Sequence, residues 1–183
     1  MNPILLTDYY KTEHYRMYPA NTTMIYSNLT PRKSRIPGVD SIVFFGLQHF
    51  IKKYLIGKFD KEFFSKPWEE VEEEYKFAIN TPTEHIKELH DLRYLPLHIK
   101  ALKEGTECPI RVPCMTIRNT HPHFYWLTNY LETLISCQLW QAITSATIAN
   151  EYRKLLERYA IETTGSSDSV QWQGHDFSMR GMS

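Results

Sequence analysis

The 183-residue sequence predicts a mixed α+β fold. Short runs rich in β-branched and aromatic residues, TTMIYSNL at 22–29 and SIVFF at 41–45, read as strands. Longer segments carry apolar residues at three- and four-residue spacing and read as helices, the strongest at 122–140. Composition agrees with a folded domain: hydrophobic residues are 42% and charged residues 23%, both ordinary for a globular chain.

Each element has its own signal. After the strand at 22–29 come Pro31, the basic stretch Arg32, Lys33 and Arg35, and a Pro37-Gly38 turn. Following the strand at 41–45, residues 46–56 place Leu47, Phe50, Ile51, Tyr54 and Leu55 on one helical face, with Gly57 as the stop. Residues 60–79 predict two short helices separated at Pro67, and the run Glu69, Glu70, Glu72, Glu73 and Glu74 reads as a solvated face. Thr81-Pro82-Thr83-Glu84 is a capping box, with Thr81 as cap, Pro82 at the first position, and Ile86 and Leu89 buried. Strands follow at 97–103, 109–112 and 114–118, the last two parted by Pro113. In the helix at 122–140, Leu127, Tyr130, Leu131, Leu134, Ile135 and Leu139 form the apolar stripe. Thr128, Asn129, Glu132, Thr133 and Ser136 line its other side. A separate helix at about 145–163 is expected to bury Ile148, Ala149, Tyr152, Leu155, Leu156 and Tyr159, and Gly165 ends it.

Charge and cysteine content narrow the partners. Lys plus Arg is 21 and Asp plus Glu is 21, so the basic excess of a nucleic-acid binder is missing. No apolar run reaches membrane-spanning length, and the first residues do not form a signal peptide. Cys108, Cys114 and Cys137 lack metal-ligand spacing and leave an odd thiol. That predicts a reducing, cytoplasmic setting with free thiols, Cys137 among the core residues of its helix. Glycine numbers only 7, and the chain has neither a dinucleotide fingerprint nor a phosphate loop of the Gly-rich kind. Phosphate binding would therefore fall to side chains or helix ends.

Two clusters carry chemistry. Thr7-Asp8-Tyr9-Tyr10-Lys11 and His14 crowd acidic, aromatic and basic groups together. As a plain capped helix, Tyr10 and His14 would share a face at i and i+4. The second cluster is His175-Asp176-Phe177-Ser178-Met179-Arg180, either a polar loop or a strand end facing a ligand. There Phe177 could stack on a flat ring and Arg180 could grip a phosphate bidentately. Arg32, Lys33 and Arg35 are either an ordinary basic loop or a second phosphate contact. His121-Pro122-His123 reads as a structural loop, since further ligands at metal spacing do not accompany it.

TDYYKTEHYRMYP near the start, FFGLQHFIKKYL, Glu104-Gly105, YWLTNYLETLI and the terminal GHDFSMRGMS occur in this order in the nicotinamide phosphoribosyltransferase family, which the chain resembles end to end. The resemblance implies the N-terminal part of a type II phosphoribosyltransferase, lacking most of the β/α barrel. Residues 1–165 would be the N-terminal α+β domain and 166–183 the start of the barrel. It implies transfer of 5-phosphoribosyl from phosphoribosyl pyrophosphate to nicotinamide, giving nicotinamide mononucleotide and pyrophosphate for NAD salvage. It further implies a homodimer, Mg2+ and coupled ATP hydrolysis, which joins the cytoplasmic setting and the lack of a nucleic-acid or membrane partner expected from cysteine content, charge and hydropathy. By the same resemblance Phe177 stacks on the nicotinamide ring, and Tyr10 of the partner subunit covers its other face. Asp8 lies near the ring, Arg180 binds the ligand phosphate, Arg32 is a second phosphate-side arginine, and His175 and Asp176 position their neighbours. The chain alone is expected to be an incomplete and inactive enzyme. Two other readings compete: a non-catalytic module pairing with a separate barrel chain, and a phosphoribosyltransferase acting on nicotinate.

Overall fold

Two small antiparallel sheets are packed among helices in residues 1–175, the part of the chain that the computed structural model describes. In chain order the strands are β1 (Tyr26–Leu29), β2 (Ser41–Val43), β3 (Leu97–Ala101), β4 (Glu107–Pro109) and β5 (Met115–Asn119). The helices are α1 (Leu47–Phe50), α2 (Trp68–Ala78), α3 (Glu84–Leu92), α4 (Leu127–Tyr130) and α5 (Glu132–Thr164). One sheet has the order β1-β5-β3, with Tyr26 opposite Arg118 and Leu97 opposite Asn119. The other pairs β2 with β4, Ile42 opposite Cys108.

The strand expected at 22–29 begins only at Tyr26. Ahead of it the backbone is held by a side chain instead of a ladder. Buried Asn119 donates from Nδ2 to the carbonyls of Thr23 and His121, and its Oδ1 accepts from the Ile25 N–H at 2.9 Å. Buried amides must be satisfied in this way, and here one residue fixes both chain segments.

Gly57 does not stop the first helix. After α1 the chain continues through Ile51–Lys58 and Asp60–Phe64 in wider π-helical turns, as in the bond from the Ser65 N–H to the Asp60 carbonyl at 2.9 Å. Phe59, Phe63 and Phe64 from this stretch are buried, their rings in edge or tilted contact. Such pairs each add about 0.5–1.5 kcal/mol beyond area burial. The break at Pro67 and the following helix α2 are as expected. The N-terminus of α3 lies two residues later than expected. Thr83, not Thr81, occupies its cap position, yet its hydroxyl turns to Glu72 Oε1 at 3.0 Å and makes no cap bond. The Thr81 hydroxyl instead meets that of Tyr75 at 3.3 Å.

The largest correction concerns the C-terminal half. The two helices expected at 122–140 and 145–163 are a single helix α5 of 33 residues, preceded by the short α4. Between Glu132 and Thr164 there is neither glycine nor proline, and the polar residues Gln141, Thr144 and Ser145 do not break a helix. Gly165, at φ 75°, ends it as anticipated. The first half of α5 buries Leu134, Ile135, Leu139 and Ile143, and Thr147 accepts from the Val43 N–H of β2 at 2.9 Å. The second half does not bury its stripe: Ile148, Tyr152, Leu155 and Tyr159 are exposed, Tyr152 at 65%. Cys137, expected in the core, is exposed on α5, whereas Cys108 and Cys114 are buried. Burial pushes the Cys114 thiol up to about 11. Among the described residues, no helix is long and apolar enough to cross a membrane.

Candidate functional site

Residues 9–16 wind as 3₁₀ turns, tighter than the expected α-helix, and lie against the junction of α4 and α5. Position along the chain gives no hint of this pairing, since the two segments are more than a hundred residues apart. Thr7 donates its hydroxyl to the Tyr130 carbonyl at 2.8 Å. The Asp8 N–H donates to Thr133 Oγ1 at 3.2 Å, and the same hydroxyl donates to Asp8 Oδ2 at 2.7 Å. Lys11 is 3% exposed and its ammonium is held by Asn129 Oδ1 at 3.1 Å and by the Glu132 carboxylate. A buried ammonium is tolerated only with such partners. Asn129 also reaches His14 Nδ1 at 3.0 Å and the Tyr18 hydroxyl at 3.2 Å.

This grip leaves Tyr10 facing outward. Its ring is 59% exposed. His14 meets it edge-on at 5.0 Å between ring centres, so the expected i, i+4 neighbourhood is present. The Lys11 ammonium lies 5.3 Å from the ring centre. Asp8 is exposed beside it.

The same helical junction also lines a crevice of about 670 Å³ between β1, β5 and the start of α5. Arg32, Lys33 and Arg35 line its mouth, and Asn28, Thr128 and Trp140 are among its other walls. All three basic residues are exposed. Asn129 and Glu132, which hold Lys11, line the crevice as well. The junction of α4 and α5 therefore both anchors the arm bearing Asp8 and Tyr10 and walls the basic crevice. Asp8 and Tyr10 lie on the one anchored arm, and Arg32 lines the crevice that Asn129 and Glu132 also line. Phe177, Arg180 and Asp176 lie outside the described residues. His175 is exposed. His121 and His123 form a turn in which His121 Nδ1 accepts from the His123 N–H, as befits a structural loop.

Sequence reasoning missed the roles of Lys11, Asn129, Glu132 and Thr133. The available signal was the polar stripe on the face of the helix opposite its leucines, together with a lysine one turn into the N-terminal motif.

The sequence profile of the nicotinamide phosphoribosyltransferase N-terminal domain matches residues 2–96. The chain belongs to the nicotinamide phosphoribosyltransferase family. A nicotinamide phosphoribosyltransferase of Acinetobacter baylyi is 48% identical over 195 residues, covering 100% of this chain and 39% of that protein. One from Mycoplasma genitalium is 33% identical over 205 residues, covering 98% of the chain and 44% of the relative. The chain thus spans about two fifths of the length of the curated relatives it matches. In fold it is similar to human nicotinic acid phosphoribosyltransferase, with a TM-score of 0.60 over 82% of this chain and 28% of that one, at 21% identity. That likeness shows the fold, part of a type II phosphoribosyltransferase with the mixed α+β character the sequence predicts, and the matching profile is that of the family's N-terminal domain.

Proposed function

We propose that this chain is the N-terminal portion of an enzyme that transfers 5-phosphoribosyl from phosphoribosyl pyrophosphate to nicotinamide, releasing pyrophosphate. The observation that carries this reading is the shared helical turn at 128–133. It ties an aromatic and acidic arm to a basic crevice, the two kinds of surface that a flat, neutral base and a pyrophosphate require.

In the reaction the bond from ribose C1 to the pyrophosphate oxygen breaks as the pyridine nitrogen approaches C1, through an oxocarbenium-like state. Catalysis then rests on neutralising the leaving group and holding the ring in line. Arg32 supplies charge toward the phosphates, and Tyr10 supplies an aromatic face for the ring. Asp8 can accept a hydrogen bond from a carboxamide N–H, a donor that nicotinate lacks. In this proposal the arm bearing Tyr10 and Asp8 and the Arg32 crevice tied to it are offered together to one site of a cytoplasmic homodimer, where Phe177 and Arg180 of the partner chain complete the ring and phosphate contacts. The boundary to the barrel lies at Gly165. Mg2+ and ATP belong to the proposal through the family resemblance alone. Among the described residues no group of three or more His, Cys, Asp or Glu side chains could hold a metal ion, so no step is assigned to either.

The test is reconstitution. The chain alone is expected to form no mononucleotide, and joining it to the downstream portion of the Acinetobacter relative should restore synthesis from nicotinamide over nicotinate. Synthesis by the chain alone would overturn its incompleteness. Preference for nicotinate in the joined protein would overturn the choice of base.

A further inference from the structure

We propose that Thr133 is a positioning residue for the base-binding arm. Its hydroxyl holds Asp8 at two points at once, accepting from the main-chain N–H at 3.2 Å and donating to the carboxylate at 2.7 Å. Two bonds to one residue fix both the backbone entry of the arm and the rotamer of the side chain. The next turn is fixed independently, by Lys11 on Asn129 and Glu132. Tyr10 stands between these two anchor points, so its outward direction is set by both. Because α5 begins at Glu132, Thr133 also lies in the first turn of a 33-residue helix whose following residues are packed in the core. A rigid element therefore supplies the reference frame for a short 3₁₀ arm that has little core of its own, an arrangement suited to holding a binding group within fractions of an ångström.

The inference rests on the reading of Asp8 and Tyr10 as ring-side residues. Its chemistry separates it from a general structural role. Asp8 is exposed and Thr133 is only partly buried, and hydrogen bonds in such settings add little to global stability. Thr133→Val keeps the shape and removes both bonds. Thr133→Ser keeps the hydroxyl.

Two measurements test it. In the 183-residue chain, Thr133→Val should speed amide exchange at Asp8 and the residues after it, with the unfolding midpoint little changed, and Thr133→Ser should not. Unchanged exchange would overturn the clamp itself. In the joined enzyme, Thr133→Val should raise KM for nicotinamide about three- to tenfold, the range set by the net worth of one ordinary hydrogen bond. KM for phosphoribosyl pyrophosphate and kcat should hold, and Thr133→Ser should restore the parent value. Asp8→Ala should raise the same KM, and adding Thr133→Val to it should do nothing more. A silent Thr133→Val beside a damaging Asp8→Ala would remove Thr133 from this role and leave the proposed function standing. A silent Asp8→Ala would instead remove Asp8 from the ring site, and the present inference with it. Loss in all parameters without rescue by serine would make Thr133 merely structural.

Discussion

Gly46 and His85 show how much a single position can be asked to do. Gly46 adopts φ 100°, and a Cβ built there would lie 2.6 Å from the Cβ of Ala142 on α5. Backbone conformation and close approach both demand glycine. Gly46→Ala should therefore destabilise by about 2–4 kcal/mol, read from urea denaturation, with strain and overpacking contributing together. His85 is sandwiched instead. Tyr15 stacks on it at 3.8 Å and Trp126 meets it edge-on at 4.8 Å. Neither ring nitrogen finds a hydrogen-bond partner among the described residues. Burial, with Arg16 nearby, pushes its pKa down to about 3 from the usual 6.5. Between those values the unfolded chain binds a proton that the folded chain refuses. The stabilising contribution of neutral His85 is complete above pH 6.5 and is lost as pH falls toward 3. The slope it contributes is at most about 1.4 kcal/mol per pH unit. His85→Phe keeps the stacking and removes the titration, so its stability should fall less steeply than that of the parent between about pH 5 and 6.5, above the carboxylate range. Equal slopes would show that His85 is not the acid-sensitive group.

At the scale of elements, α5 is two helices in energetic terms and one in geometry. Its first half packs against β2, and its second half leaves an apolar stripe in solvent. Leu139 is fully buried, so Leu139→Ala should cost about 2–5 kcal/mol. Leu155 is 45% exposed, and Leu155→Ala should stay within about 0.5 kcal/mol in the isolated chain. Chemical denaturation of both variants checks the contrast, and comparable losses would mean that the outer half is covered. Periodicity identified the stripe correctly but could not say whether anything packs on it. A stripe of Ile148, Tyr152, Leu155 and Tyr159 reads the same in a sequence whether it is buried or bare. The same limit explains the misplaced Cys137. Buried Ile135 and Leu139 lie two positions to either side of it, yet it projects from another side of the helix.

For the whole molecule, the decisive arrangement is the joining of arm and crevice through one helical turn. In the joined enzyme Arg32→Ala should raise KM for phosphoribosyl pyrophosphate by about tenfold or more, the usual cost of removing a charge-assisted contact, with KM for nicotinamide nearly unchanged. The opposite pattern would move Arg32 to the base side. Asp8, Tyr10 and Arg32 stood out in the sequence as candidates because their residue types and motif context suggest chemistry. Lys11, Asn129 and Thr133 were not, because a threonine or asparagine on the polar side of a helix looks like any solvated residue until its partner is known.

The sequence by itself determined the alternation of strands and helices, their approximate ends at Pro67 and Gly165, the absence of a Gly-rich phosphate loop and the family motifs. These depend on local backbone preference and on apolar period, both written along the chain. Only the tertiary structure decided that α5 runs unbroken, that its outer stripe is exposed, that Gly46 must be glycine, and that Asp8 meets Thr133 across 125 residues. Those outcomes depend on which surfaces pack together. Contacts of that kind are selected by the summed burial and hydrogen bonding of the whole chain, and no local stretch of sequence specifies them.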